Sequence, residues 1–368
     1  MKTFVKTSLS LAALLLCVDV NAYQINGTIT ATINKTDQAS LSSKTPHTKD
    51  VTLMNIFLTP REKELLAQYV PSPDDLTEDQ SSLLPSKLDL GMNGVPILDQ
   101  GKHGTCVTFA VTAAIDAVTG KGDYVSQLCN LELGNYLAQL GYAPSGWDGA
   151  SSNLILTQIS QYGIINKDNQ LKGSCAGVTE YPLNQMDDHG NPMLLSDYKQ
   201  FSENLDGQVI TNPIFTLMDR FMWTAKHPHL PDMQDAYFLH QIKSTLASEE
   251  DGMKIRVVFG TFVDVNVCSA GACGSYHAPN DTWVLSSEIV KDPKPSLAGH
   301  EMVITGYDDN AVVVDSDGKK HRGLLILRNS WGDDVGDHGN FYMTYDYFKK
   351  YVMDSDWVAY SPNQGQGK

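Results

Sequence analysis

The spacing of apolar residues divides the chain into stretches that predict different secondary structure. Residues 23–29 alternate between polar and apolar side chains, and residues 51–58 form a second strand-like run. A short helical pattern follows at 60–69, with proline at its start and acidic residues in its first turn. The polar stretch at 71–82 then predicts an exposed linker, which suits proteolytic cutting.

After the linker the pattern changes first to helices and then to strands. Residues 106–118 are apolar almost throughout and stop before Gly120, which is typical of a buried helix. Further helices are predicted at 131–140 and 151–162, and helical pieces rich in Met and aromatic residues fill about 183–250. The strands predicted beyond them are 255–262, 302–307, 311–314, 324–327 and 341–345. Helices followed by strands predict an α+β protein with two unlike halves.

The first 22 residues have the pattern of a secretory signal peptide. Lys2 and Lys6 form a basic region, residues 9–18 are apolar, and small residues precede a cleavage point after Ala22. The apolar run is shorter than the roughly 20 residues that a membrane-spanning helix needs. The pattern therefore predicts a secreted protein, periplasmic or extracellular, without stable membrane association.

The charge balance excludes some classes of partner. The chain has 43 acidic and 27 basic residues and a formal net charge of −16. A nucleic-acid binder must present basic surface to phosphates, and anionic membranes attract basic segments, so neither partner is expected.

Five cysteines lie outside the predicted signal peptide: Cys106, Cys129, Cys175, Cys268 and Cys273. In an oxidising compartment an odd number predicts two disulfides and one free, reactive thiol. If Cys106 is free, the other four allow three pairings; we favour Cys129–Cys175 and Cys268–Cys273, because the second pair encloses only a small, flexible loop. A zinc site at this CxxxxC is the rival interpretation, but no paired His or Cys cluster accompanies it, so no metal is expected.

The first candidate chemistry lies where a glycine-bearing loop meets the helix at 106–118. Cys106 falls in the first turn, where helix N–H groups and the macrodipole favour a thiolate. Gln100, six residues earlier, can direct its amide towards an oxyanion beside the Cys106 backbone N–H. A buried structural cysteine beside an incidental glutamine explains this segment equally well.

Two distant segments favour the catalytic interpretation. His300 precedes an apolar strand pattern and can accept the thiol proton, and Asn329 follows another strand and can orient the second ring nitrogen. Trp331 can shield that hydrogen bond from water. His277 is a rival base, but no apolar strand follows it.

These segments resemble the papain-like cysteine peptidase family, in a form close to its bacterial branch. Cys106, His300 and Asn329 occupy the catalytic positions and Gln100 the oxyanion position. Further fragments agree in order along the chain: 84–89, 126–128, 147–150, 161–163 and 336–341.

The resemblance implies a two-domain fold, with a helical left domain, a strand-rich, β-barrel-like right domain and the active-site cleft between them. It implies hydrolysis of peptide or protein substrates through an acyl-thioester on Cys106, without a cofactor, with Gly149 and Ala150 bordering the substrate. The expected organisation is a signal peptide (1–22), an inhibitory propeptide (23–84) and a monomeric peptidase domain (85–368) with an insertion at about 183–250.

The chain departs from the family pattern in several places. Val107 replaces the usual aromatic residue after the cysteine, Lys102 and His103 replace a family cysteine, and Ala150 replaces a cleft glycine. Cys106 and His300 are 194 positions apart, against roughly 130–150 expected, and the excess falls in the insertion. Peptide ligation, or a catalytically inactive binding protein with the same fold, are the alternative functions; all four catalytic positions are filled, which disfavours the second.

Overall fold

The computed structural model describes residues 24–36, 47–67, 84–184, 189–227, 231–249, 252–291 and 297–362. The predicted signal peptide and most of the predicted linker lie outside these residues.

A mixed sheet is built around one long strand, β7, which pairs with β5 on one side and β8 on the other. The order across the sheet is β4–β10–β5–β7–β8–β9–β6, with β2 and β3 attached to β7 and β1 paired to β2. The strands are β1 (Gln24–Asn34), β2 (Thr48–Phe57), β3 (Lys87–Asp89), β4 (Val209–Phe215), β5 (Lys254–Asp264), β6 (Thr282–Trp283), β7 (Leu297–Val314), β8 (Lys320–Arg328), β9 (Asn340–Thr344) and β10 (Val352–Tyr360).

Eight of the ten helices within the described residues precede β5. They are α1 (Pro60–Ala67), α2 (Cys106–Thr119), α3 (Gln127–Gln139), α4 (Ser152–Tyr162), α5 (Lys167–Leu171), α6 (Leu195–Phe201), α7 (Leu217–Lys226), α8 (Pro231–Ala247), α9 (Ser287–Lys291) and α10 (Tyr345–Tyr351). Helix α2 is buried from Cys106 to Val118 and packs on β5, β7 and β10. Because it is apolar on every face, it can fill the space between the other helices and the sheet. The predicted α+β class is confirmed.

The predicted insertion at about 183–250 is not wholly helical. Strand β4 lies within it and pairs antiparallel with β10 at the edge of the main sheet. The sequence pattern did not indicate β4 or β10, because β4 contains Pro213 and β10 mixes buried apolar and acidic residues. Phe215, the last residue of β4, packs in the core, where its ring stacks on that of Phe238 with centroids 4.0 Å apart.

The N-terminal segment forms a β-hairpin that joins the sheet. β1 and β2 pair antiparallel over most of their length, and β2 pairs with β7 at Met54↔Gly299 and Asn55↔Ala298. The predicted strand-like runs therefore form one unit, which reaches the position immediately before His300.

Candidate active site

Cys106 is the first residue of α2 and is completely buried. The backbone N–H of Glu301, the residue after His300, hydrogen-bonds its thiol, which places the cysteine beside β7. Burial raises the pKa of the Cys106 thiol to about 12, although the N–H groups of Glu301, Val107 and Cys106 itself partly oppose this effect. The thiol is therefore protonated in this closed arrangement.

His300 and Asn329 form a hydrogen-bonded pair across strands β7 and β8. The Nε2 of His300 lies 2.9 Å from Oδ1 of Asn329, and that oxygen also accepts the backbone N–H of Ser330 at 2.7 Å. With Nε2 as the donor, Nδ1 is the basic nitrogen, and it is buried with no hydrogen-bond partner among the described residues. Burial lowers the pKa of the His300 imidazole to about 4, against a smaller opposing effect of Asn329.

Trp331 covers this pair from water. Its ring stacks on that of His300 with centroids 4.4 Å apart and an interplanar angle of 19°, and the side chain is completely buried. The indole thus fixes the plane of the imidazole and covers the hydrogen bond to Asn329.

Gln100 is held in place by the backbone and by Ser330. Its Oε1 accepts the Ser330 hydroxyl at 2.8 Å, and its Nε2 donates to the carbonyl of His103 at 2.9 Å. The same Nε2 donates to the carbonyl of Thr52 in β2 at 3.1 Å. An amide suited to an oxyanion therefore contacts a carbonyl oxygen of the N-terminal hairpin.

The hairpin fills the space between the two walls of the site. A Cβ on Gly149 would lie 2.6 Å from Cγ of Met54, and a Cβ on Gly299 would lie 3.0 Å from its Cε. Met54 is therefore packed between the loop before α4 and strand β7, which only glycine permits at these distances. Ala150, the other predicted cleft residue, is buried next to Gly149.

A lysine of the hairpin fixes β2 to both walls. Lys49 Nζ lies 2.7 Å from Oδ2 of Asp99 and 2.7 Å from the carbonyl oxygen of Trp331, with Asp334 at 3.4 Å. Its side chain is only 18% exposed, so these contacts are partly protected from water.

Sequence reasoning missed Lys49, Thr52 and Met54 as site residues. The apolar run at 51–58 was recognised as a strand, but a strand pattern does not tell which surface it covers.

The model of the Peptidase C1-like family matches residues 291–356. This segment carries His300, Asn329 and Trp331 in the geometry described above. The papain-like resemblance is confirmed. Papain-like cysteine proteases are hydrolases. No curated protein matches the chain in sequence.

Solved structures of cysteine proteases resemble this chain at low identity. Xylellain from Xylella fastidiosa is 20% identical, with a TM-score of 0.47, over 80% of this chain and 90% of that chain. Digestive procathepsin L 3 of Tenebrio molitor is 14% identical, with a TM-score of 0.42, over 82% and 78%. The ragweed pollen protease Amb a 11, in its proform, is 17% identical, with a TM-score of 0.41, over 76% and 66%. At these values the likenesses carry no information about substrates.

The rival base His277 has its partners outside the candidate active site. His277 Nδ1 is 3.1 Å from Oδ2 of Asp337 and 2.8 Å from the Tyr342 hydroxyl, and its side chain is 53% exposed. His227 rests against Trp223 on the surface.

The structure joins Cys129 to Cys175 and Cys268 to Cys273, and leaves Cys106 free. Cys268, Cys273 and Glu288 offer possible metal-ligand atoms within 4.8 Å of one another, in the part of the chain that the structure describes. Because the two sulfurs are bonded to each other, they are not thiolate ligands. No helix within the described ranges is long and apolar enough to cross a membrane.

Proposed function

We propose that this protein is a secreted cysteine peptidase, synthesised as a zymogen, that hydrolyses peptide bonds with Cys106, His300, Asn329 and Gln100. The observation that carries the proposal is the convergence of a free cysteine at a helix N-terminus, a histidine–asparagine pair and a side-chain amide donor. This set supplies a nucleophile, a base, an orienting group and an oxyanion donor.

In the first half of the reaction, Nδ1 of His300 takes the proton of the Cys106 thiol, and the sulfur attacks the substrate carbonyl carbon. The carbonyl oxygen becomes an oxyanion, which accepts from Gln100 Nε2 and from the backbone N–H of Cys106. The imidazolium then gives its proton to the departing amine, and a thioester remains on Cys106.

In the second half, a water molecule replaces the amine. Nδ1 of His300 takes a proton from the water, whose oxygen attacks the thioester carbon, and the Cys106 thiolate leaves as the carboxylic acid forms. Asn329 keeps Nδ1 facing the sulfur throughout, because it holds Nε2 without adding a charge.

The hairpin acts as the inhibitor of this site within the same chain. The carbonyl oxygen of Thr52 accepts a hydrogen bond from Gln100 Nε2, the proposed oxyanion donor. Met54 fills the cleft between Gly149 and Gly299. By covering Cys106 and His300, the hairpin also favours the neutral thiol and neutral imidazole over the reactive ion pair. Removal of residues 23–84 by cutting in the linker would free the donor, the cleft and the ion pair together.

The first experiment compares the purified precursor with its Cys106→Ala variant. Both are incubated with a reductant at mildly acidic pH, and mass and cleavage of a mixed fluorogenic peptide library are followed. We expect truncation near Leu84 and new activity in the wild-type chain, and neither in the variant. If the precursor does not process itself, a trace of an added protease that cuts the linker supplies the activated form for the same assay.

A pair of histidine variants provides the matched control. His300→Ala should abolish turnover, whereas His277→Ala should leave it unchanged, because His277 contacts none of the catalytic groups. Thiol-dependent activity that survives in Cys106→Ala or in His300→Ala would refute the proposed mechanism. A folded, hairpin-free wild-type chain without activity would favour the inactive binding protein instead.

A further inference from the structure

Two carboxylates converge beside the catalytic cysteine, and the proposed reaction uses neither. Gly260 of β5 pairs with Asp354 of β10 on one side and with Glu301 of β7 on the other. A Cβ on Gly260 would lie 2.5 Å from Oδ1 of Asp354 and 3.0 Å from Oε2 of Glu301. The side chains of three neighbouring strands thus meet on one face of the sheet, and a glycine provides the space for them.

Glu301 is buried without a cationic partner among the described residues. The residue is 2% exposed, and its Oε1 has no hydrogen-bond partner among the described residues. A buried, unpaired carboxylate is costly unless a cation or a proton neutralises it. Burial raises its pKa well above the ordinary range, and the charges of Asp354 and Asp356 add to this effect.

The neighbouring charged groups have other partners. Arg328 lines the small cavity next to Glu301, but its guanidinium donates to Oδ1 of Asn340 and to the carbonyl oxygens of Val95 and Pro96. Asp356, two residues after Asp354, accepts a short hydrogen bond from the hydroxyl of Ser152.

The cleft leads to this pair of carboxylates. Gly299 and Glu301 lie on the same face of β7, because side chains alternate along a regularly paired strand. The unbranched side chain of Met54 already enters on that face, with Cε 3.0 Å from the Cβ position of Gly299. The backbone N–H of Glu301 contacts the Cys106 thiol, so a side chain held here belongs to a residue close to the cleaved bond.

We propose that Glu301 and Asp354 form an anionic subsite of the cleft that selects a lysine or arginine side chain of the substrate. This inference rests on the proposed peptidase function. A lysine has an unbranched stem like that of Met54, followed by one further atom that carries the charge. Its ammonium group would supply the counter-charge that Glu301 lacks among the described residues. A neutral side chain of the same length would leave the carboxylate unpaired.

The test uses the activated enzyme, obtained by processing of the full-length precursor. Its substrates are pairs of peptides that differ at one position: lysine against norleucine, and arginine against citrulline. The position is varied through the three residues before the cleaved bond. At one position we expect kcat/KM to favour the cationic side chain on the order of tenfold. Glu301→Gln and Asp354→Asn should each reduce that ratio at least about threefold. Because the ratio compares two peptides with the same enzyme, a loss of activity common to both peptides cancels.

Asp116→Asn is the matched control, because it removes a buried carboxylate that accepts the backbone N–H groups of Tyr124 and Val125 and does not act on Glu301. It should leave the preference unchanged, which separates a subsite effect from a general loss of packing. A wild-type ratio of one at all three positions would overturn the inference, as would a ratio unaffected by both Glu301→Gln and Asp354→Asn. In either case the peptidase function itself would stand.

If no peptide is cleaved, the proposed function fails, and thermal unfolding still tests the subsite. In the full-length Cys106→Ala chain, Met54→Lys brings an ammonium group towards the carboxylates from within the hairpin. We expect Glu301→Gln to lower the unfolding temperature by several degrees more in the Met54→Lys chain than in its Met54 parent. Equal effects in the two backgrounds would refute an anionic subsite.

Discussion

The catalytic strands and the N-terminal hairpin are held in the fold in different ways. β7 pairs with β5 at every position from Val257↔Ile304 to Asp264↔Leu297, and with β8 along its other edge. The hairpin is well paired internally, but β2 meets β7 at only two positions. The few further contacts of β2 are directed at active-site groups, among them Gln100, Gly149 and the carbonyl of Trp331.

From this difference we expect that the hairpin can leave without unfolding the catalytic frame, which is α2 with strands β5, β7 and β8. Backbone pairing and the burial of α2 fix the positions of Cys106, His300 and Asn329 independently of β1 and β2. The hairpin also contacts the rest of the chain away from these residues, at Lys35 with Asp334 and at Asn34 with Ser269, and those contacts must break when it leaves. The following predictions test this division, from the largest expected effect to the smallest.

Loss of the disulfide Cys129–Cys175 should lower the unfolding free energy of the catalytic frame. It should not change how tightly the hairpin is attached. The bridge spans 46 residues, so the chain-entropy estimate for its removal by Cys129→Ser with Cys175→Ser is about 4 kcal/mol of unfolding free energy. The pair Cys268–Cys273 spans 5 residues and is the control, with about 2 kcal/mol expected. Denaturant unfolding of the precursor measures both. A larger loss from the shorter loop would contradict the prediction.

Gln100→Ala should remove the contact that the oxyanion and the hairpin share. We expect kcat of the activated enzyme to fall about 10²- to 10³-fold, because one oxyanion donor is lost. The same variant should release the hairpin more readily, since the bond to Thr52 is lost as well. Gln161→Ala, on the exposed face of α4, should change neither quantity. An unchanged kcat in Gln100→Ala would remove Gln100 from the mechanism.

Acid should act on the closed site through His300. Burial lowers the pKa of the His300 imidazole from its ordinary value of 6.5 to about 4 in the closed structure. The folded chain therefore favours the neutral imidazole. The contribution of His300 to folding stability is present above pH 6.5 and is lost as the pH falls through 4. The loss amounts to about 3 kcal/mol. The measurement is the difference in unfolding free energy between the Cys106→Ala chain and Cys106→Ala with His300→Gln, from pH 8 to pH 3.5. A difference that does not vary with pH would show that His300 is not desolvated in the closed structure.

Lys49→Met should loosen the hairpin with the frame intact. Its partly buried contacts with Asp99 and Trp331 are worth about 1–2 kcal/mol, so release of the hairpin should be about tenfold faster. The rate of processing at fixed pH measures this, and Lys63→Met on the exposed face of α1 is the control. Equal rates in the two variants would mean that other contacts retain the hairpin.

The candidate catalytic residues could be proposed from the sequence because each lies in a short motif whose residue types suit its chemistry. Cys106 precedes an apolar helix, and His300 and Asn329 adjoin apolar strands, so residue type and context narrowed the choice. The partners of these residues across the cleft could not be predicted in this way. Strand β4 and the contacts of Met54 depend on pairings between segments far apart in the chain, which a pattern of period two does not specify.

The sequence by itself determined the α+β class, and it predicted Cys106 as nucleophile, His300 as its base and a propeptide at 23–84. These follow from residue chemistry and periodicity, which act locally. Only the tertiary structure placed the Thr52 carbonyl next to the side-chain amide of Gln100. It also brought the carboxylates of Glu301 and Asp354 together beside Gly260. Those arrangements depend on strand register, and a shift of one residue would turn each side chain to the opposite face of its strand.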